Sequence, residues 1–206
     1  DIESIEILRG VQAVLNGRTS MGGQINTRTL SPMTATGMRA GISYGSGNTV
    51  SANAAYYHKL NPQLAMSLSG QFRHTDGFFR NAYDNSRLDH ENSGGARWKT
   101  VWRPSPRLSF TNTASFATTR QGGYPYASME TGEIAFNDTC SYSRTMFADG
   151  LTVAWAGKRV VVTSVTTAQY LSDDMNLDQD FLPLDYFTLR QKRNEWTFTE
   201  DLYTRG

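Results

Sequence analysis

From Met38 onward, apolar residues recur at every second position, and this period limits the fold more than any other feature of the chain. Met38, Ala40, Ile42 and Tyr44 fall on one side, Arg39, Gly41 and Ser43 on the other. Val50, Ala52, Ala54, Tyr56 and Leu60 repeat the pattern with His58 intruding, and Leu64, Met66, Leu68 and Phe72 form a third run. Ala96, Trp98 and Trp102, then Leu108, Phe110, Ala114 and Phe116, add a fourth and a fifth. Leu151, Val153 and Trp155, Val160 to Leu171, and Glu195 to Tyr203 complete eight. Successive side chains of a strand point to opposite faces, so these runs predict strands with one apolar and one wet side.

The connections narrow the architecture. Leu60-Asn61-Pro62-Gln63, Pro104-Ser105-Pro106 and Gly157-Lys158-Arg159 read as tight turns, whereas Gly77 to Gly95, Gly122 to Gly150 and Ser172 to Asn194 are long and polar. Only Gly45 to Thr49 breaks the alternation of short and long. Short turns at one end and long loops at the other are characteristic of outer-membrane barrels. In that frame the runs starting near Met38, Leu64, Leu108 and Val160 ascend from the periplasm and the others descend. Met66, Leu68, Phe72, Phe110 and Phe116 are expected to face lipid, and Arg73, Arg97, Lys99 and Thr113 the lumen. Tyr44, Tyr56, Trp98, Trp102, Trp155 and Trp196 lie near predicted strand ends, as interfacial aromatics do. Core aromatics of a soluble sandwich are the competing explanation.

Composition agrees with a barrel without requiring one. The 206 residues carry a formal charge of +1, which gives no case for nucleic-acid binding. Mean hydropathy is −0.49, and no apolar run approaches the roughly 18 to 20 residues of a membrane helix. The chain is therefore either soluble or membrane-spanning by strands, whose alternation hides their hydrophobicity. Cys140 is the only cysteine, which excludes an intramolecular disulfide and reads as a small buried apolar residue. Asp1 starts in the middle of a structured pattern, so the chain reads as an excised piece with no signal peptide of its own.

Catalysis has little to stand on. His58, His74 and His90 have no Cys or His partner at metal spacing, and the nucleophile-elbow, P-loop and dinucleotide motifs do not occur. No enzyme activity, catalytic residue or cofactor is expected. The acidic run Asp173 to Asp180 offers oxygen ligands at Asp174, Asn176, Asp178 and Asp180, a weak calcium candidate. Gln179 stands where a calcium loop needs its turn glycine, and a solvated acidic loop is the plainer expectation.

The opening stretch, Asp1 to Pro32, differs in character. Ile2, Ile5, Ile7 and Leu8 are interleaved with Asp1, Glu3, Glu6 and Arg9, a pattern for a short strand or turn of mixed exposure. Gly10, Gly17, Gly22 and Gly23 then divide the segment, and Gln24 to Thr29 suits a strand with little apolar cover. Ile5-Glu6-Ile7-Leu8-Arg9-Gly10 resembles the "IEVLRGP" run, and Gly17-Arg18, Gly22-Gly23 and Ile25-Asn26 the "YGRNAxGGVINI" run, in the plug domain of TonB-dependent outer-membrane receptors. Val11 stands where that family usually has Pro, and Asn16 where it usually has an aromatic residue. Leu68 to Asn81, LSGQFRHTDGFFRN, is similar to the family's third-strand run. Gly123-Tyr124-Pro125-Tyr126, Asp149-Gly150-Leu151-Thr152, Asp178-Gln179-Asp180-Phe181 and Thr199-Glu200-Asp201-Leu202 resemble pieces of its siderophore subgroup. Glu200-Asp201 replaces the usual Gln-Glu and sets a carboxylate where strand parity faces lipid.

The resemblance implies an all-β antiparallel transmembrane barrel fragment, about eight of about 22 strands, preceded by the C-terminal piece of a plug. Residues 1–33 would belong to the plug and 34–206 to the barrel. An eight-stranded barrel is filled by its own side chains and has no room for a plug. It further implies energy-coupled uptake of a bulky, scarce solute across the bacterial outer membrane. A siderophore or iron complex comes first, with cobalamin or glycan as further candidates. The implied partners are outer-membrane lipid and a TonB complex, the latter through an N-terminal region outside this chain. Arg9 and Arg18 would be plug–barrel contacts. Aromatics on predicted outward loops, Phe78, Tyr83, Tyr124, Tyr126, Phe181 and Tyr186, would touch solute or pack the loops. A soluble all-β module recognising glycan or protein through aromatic loops is the alternative, and an outer-membrane enzyme barrel a third.

Overall fold

A computed structural model of the chain describes residues 1–10, 22–124 and 126–206. All its named elements are strands, in two antiparallel sheets. The first pairs β1 (Ile2–Arg9) with β2 (Gly23–Thr29), setting Ile7 opposite Ile25 and Arg9 opposite Gly23. Gly23 has a φ of +142°, and a Cβ there would lie 2.5 Å from the Leu8 carbonyl oxygen, so only glycine allows this approach.

The second sheet contains β3 (Gly37–Gly45), β4 (Thr49–Asn61), β5 (Leu64–Thr75), β6 (Glu91–Ser105), β7 (Leu108–Gly122), β8 (Ser141–Ala156), β9 (Val161–Asp178) and β10 (Thr188–Arg205). They lie in chain order, so each interior strand pairs with its two sequence neighbours, and β3 and β10 have a neighbour on one side only. This is the antiparallel barrel-wall fragment expected from the alternation. Connections 46–48, 76–90, 123–140 and 179–187 lie at one end of the sheet, and 62–63, 106–107 and 157–160 at the other. The Asn61-Pro62 turn and the loop after β7 are thus at opposite ends, as the ascending and descending assignment requires. Asn61 builds its turn locally: its Oδ1 accepts the N–H groups of Gln63 and Leu64, each at 2.8 Å.

The register sorts the side chains into two faces. Asp1 and Thr29 of the small sheet contact Ser69, Arg97 and Lys99, which defines an inner face. Arg73 and Thr113 share that face through the pairings of β5 with β6 and β6 with β7. Met66, Leu68, Phe72, Phe110 and Phe116 fall on the opposite, outer face. A small core lies inside, where Leu30 packs on Ala35, Ala55 and Tyr57.

Three strands are longer than their alternation predicts. β8 begins at Ser141 rather than near Leu151, β9 runs to Asp178 rather than Leu171, and β10 starts at Thr188 rather than Glu195. The added residues are mostly polar on both faces, with Met146, Phe147, Met175, Leu177 and Leu189 scattered among them, so the period-two signal is lost although the ladder continues. The long loops shrink to 123–140 and 179–187 accordingly. The acidic run also changes character, because Asp173 to Asp178 ends a strand instead of forming a loop.

Candidate solute-binding loops

The small sheet is tied to the inner face by a polar contact. Arg97 Nη1 donates to the Asp1 carboxylate at 2.6 Å, and Ser69 Oγ donates to the same oxygen at 2.8 Å. Lys99 Nζ reaches Thr29 Oγ1 at 2.9 Å. The resemblance implied plug cations on barrel carboxylates; in this pair the carboxylate is on the small sheet and the cation on the wall. Arg9 ends β1 opposite Gly23. Arg18, with the rest of 11–21, lies outside the described residues.

At the loop end, three loops are fastened into one cap. Asn81, almost fully buried, donates Nδ2–H to the Phe136 carbonyl at 2.8 Å and accepts the Phe136 N–H on Oδ1 at 2.9 Å. The Ala82 N–H donates to the Ile134 carbonyl at 2.7 Å beside it. Phe136 is wholly buried and packs with Leu88 and Cys140, with Ile134, Leu177 and Phe181 around them. Asp89 closes the base of the 76–90 loop by accepting N–H groups of Phe78 and Phe79 at 2.8 to 3.0 Å.

Asp178 fixes the third loop. Its fully buried carboxylate accepts the N–H groups of Phe181 at 3.1 Å, Asp180 at 3.2 Å and Asp138 at 3.5 Å. Its own N–H donates to Cys140 Sγ at 3.3 Å. Burial pushes the Cys140 thiol above its ordinary value of 9.0; the Asp178 N–H opposes this and the Asp178 charge adds to it. Phe181 follows with a φ of +57°, uncommon for a bulky residue, and its ring packs on Phe136 and Tyr126 at centroid distances of 5.6 and 4.7 Å.

Of the six aromatics read from the sequence, Tyr124, Tyr126 and Phe181 come together. The tyrosine rings lie 6.4 Å apart and both remain about half exposed, with the Tyr126 ring against Phe181. Pro125 between them is outside the described residues. Phe78 lies against the 46–48 turn, where a Cβ at Gly47 would come within 2.9 Å of its ring. Tyr83 and Tyr186 are exposed elsewhere on the loops. Sequence reasoning missed Asn81, Asp89 and Phe136 and singled out Asp178 only as a calcium ligand, yet these four residues order the cap. The available signal was Asn or Asp beside turn sequence, where a side-chain oxygen commonly accepts nearby backbone N–H groups.

The calcium candidates are otherwise engaged. Asp174 pairs with Arg190 at 3.0 Å and Lys192 at 3.3 Å. Asn176 donates to the Thr139 carbonyl, Asp178 is buried, and Asp180 accepts the Leu182 N–H. Among the described residues, no three His, Cys, Asp or Glu side chains converge to hold a metal. The alternate carboxylate, Asp173, turns to the inner face between Arg193 at 2.8 Å and Arg144 at 3.7 Å.

No protein-family model matches the chain. Among solved structures, the crystal structure of the ferric yersiniabactin uptake receptor FyuA from Yersinia pestis superimposes with a TM-score of 0.78 at 19% sequence identity. The match covers 100% of this chain and 34% of that one, so the chain spans about a third of the receptor's length. The two-sheet fold described above, a barrel wall with a small sheet on its inner face, is therefore one that a solved uptake receptor also has.

Proposed function

We propose that the chain is part of a TonB-dependent outer-membrane receptor that takes up a bulky, scarce solute, with a ferric siderophore or similar iron complex first among candidates. The outer face carries the proposal. Ile42, Trp98, Phe116, Trp155, Phe198 and Leu202, on five different strands, all stand exposed on it. A contiguous apolar surface of this extent has no place in water, whereas lipid covers it without cost. The inner face is polar and carries the small sheet, which suits a plugged lumen. The likeness to a ferric-chelate uptake receptor supports the same class.

The parts then have separate tasks. The cap of loops meets solute first, with Tyr124 and Tyr126 offering neighbouring rings. The small sheet blocks the lumen and is held by polar contacts such as Asp1–Arg97, which would break when a TonB partner pulls on the plug. No chemistry on the solute is required, so the role is transport rather than catalysis. A soluble recognition module would use the same loops but leaves the outer face unexplained.

The test uses the full-length receptor in cells. Uptake of a labelled ferric siderophore panel should depend on the proton gradient, while surface binding persists after the gradient is collapsed. A full-length protein that stays monomeric in detergent-free buffer would overturn the membrane reading.

A further inference from the structure

The outer face of β7 to β10 changes character abruptly toward the loops. Phe116, Phe147, Tyr170 and Trp196 are register partners and form one aromatic row. From that row to the turn end, no outer-face position on these strands is Lys or Arg. Four residues the other way, Arg120, Ser143, Asp174 and Lys192 form another register row, with Arg190 one pleat beyond. At about 3.3 Å per residue and a strand tilt near 40°, the cations sit roughly 10 Å above the aromatic row. A headgroup layer is about 5 to 8 Å deep, so a row at the hydrocarbon edge sets the cations at the outer side of the headgroups.

One of these cations, Arg190, lines a cleft, and Lys192 and Arg120 stand near it in the row of Asp174 and Ser143. Asp174 accepts from both Arg190 and Lys192 and so holds their side chains side by side, both well exposed. Arg190 and Asp174 line a cleft of about 360 Å³ together with Ser141, Ser143 and Asn176. Arg120 points out of the same surface and has no carboxylate partner among the described residues. Three cations face one carboxylate, which leaves an excess of positive charge beside hydroxyl and amide groups.

We propose that this cleft binds the phosphorylated headgroup of an outer-leaflet glycolipid, its phosphates on Arg120, Arg190 and Lys192 and its hydroxyls on Ser141, Ser143 and Asn176. The site rests on the reading that the strands span the outer membrane. Guanidinium groups pair with phosphate oxygens in a fork, and each cation near an anionic surface contributes about fivefold in affinity. The acyl chains of such a lipid would lie along the aromatic row beneath.

The experiment is native mass spectrometry of the full-length receptor in detergent, with a diphosphorylated glycolipid, its dephosphorylated form, or inorganic phosphate. The native protein should retain the diphosphorylated lipid at least about 25-fold better than the Arg120→Gln, Arg190→Gln, Lys192→Gln variant. Arg193→Gln, which removes a cation from the inner face, should retain it as the native protein does. Free phosphate should bind neither. Equal retention of both lipids by the native protein overturns the site even if the triple variant does not fold, and equal retention by native and triple variant overturns it too. A native protein without the heat-dependent mobility shift of a folded barrel in SDS instead refutes the membrane reading.

Discussion

Asn81 and Phe136, on different loops, hold each other by two hydrogen bonds: the amide of one side chain pairs with both backbone groups of the other residue. Because the site is buried, Asn81→Ala leaves the Phe136 N–H and carbonyl unsatisfied, at a cost of about 2 kcal/mol or more. The Phe136 amide should then exchange with deuterium roughly thirtyfold faster, while amides in the centre of β6 and β7 keep their protection. Unchanged exchange at Phe136 would mean that the two loops are held by other contacts.

The two faces of β5 give a paired test. Leu68 points outward and Ser67 inward. An arginine facing lipid near mid-bilayer costs about 2 to 4 kcal/mol. Leu68→Arg in the full-length receptor should therefore lower the yield of folded, heat-modifiable barrel, and Ser67→Arg should leave it near the native level. Equal loss in both would contradict the assigned faces.

Glu200 stands on the outer face between Phe198 and Leu202, its carboxylate bonded to the hydroxyls of Ser164 and Thr166. Such a group is poorly placed against lipid. Glu200→Leu is expected to stabilise the inserted barrel by about 1 kcal/mol, read as a higher midpoint of the SDS mobility shift. A lowered midpoint would show that the carboxylate has a polar partner in the membrane.

Tyr124 and Tyr126 are offered as solute contacts, and their packing sharpens the test. Tyr126 rests on Phe181, so removing it both deletes a ring and uncovers another. Tyr124→Ala should weaken solute binding on whole cells by about 0.5 to 2 kcal/mol, with loop exchange rates unchanged. Tyr126→Ala should weaken binding and also loosen the 179–187 loop. Native affinity in the double variant would assign both rings to loop packing alone.

Cys140 supplies a pH test. Its thiol is raised by burial, so the thiolate is scarce in the folded cap. Alkylation at pH 8 should be far slower in the folded protein than after denaturation. A raised folded value makes its contribution to stability full below the unfolded value and lost as pH climbs through the folded one. Cap opening, followed by alkylation rate, should therefore steepen above about pH 9.

Much of the wall was legible because one face of the sheet is apolar and the other polar, which imposes a period of two. Leu68 and Arg97 could be assigned to faces from parity alone. That signal fades beyond the aromatic row, where both faces are wet, and so Ser141, Asp178 and Thr188 were read as loop. The cap was legible only as a set of exposed aromatics. Its order comes from buried polar side chains: Asp178 accepts the nearby N–H groups of Asp180 and Phe181, a local turn signal, whereas Asn81 pairs with Phe136 on another loop, which no local pattern encodes. Asp174, Asn176, Asp178 and Asp180 read as a weak calcium candidate because oxygen ligands at alternating positions look the same in one dimension whether they converge on an ion or, as here, engage separate partners.

The two outermost strands of the large sheet have a consequence for handling this span by itself. One side of β10, across 18 residues, offers N–H and carbonyl groups with no ladder partner in the sheet, and β3 offers a shorter row at the far side. Such rows are templates for strand addition. In a longer polypeptide, neighbouring strands would occupy them and close the ring; in isolated copies, the β3 of one molecule can dock on the β10 of the next. The expected product is an open, head-to-tail polymer that grows by backbone pairing and defeats dilution, so refolding of this span should be attempted only with the strands that cap both ends.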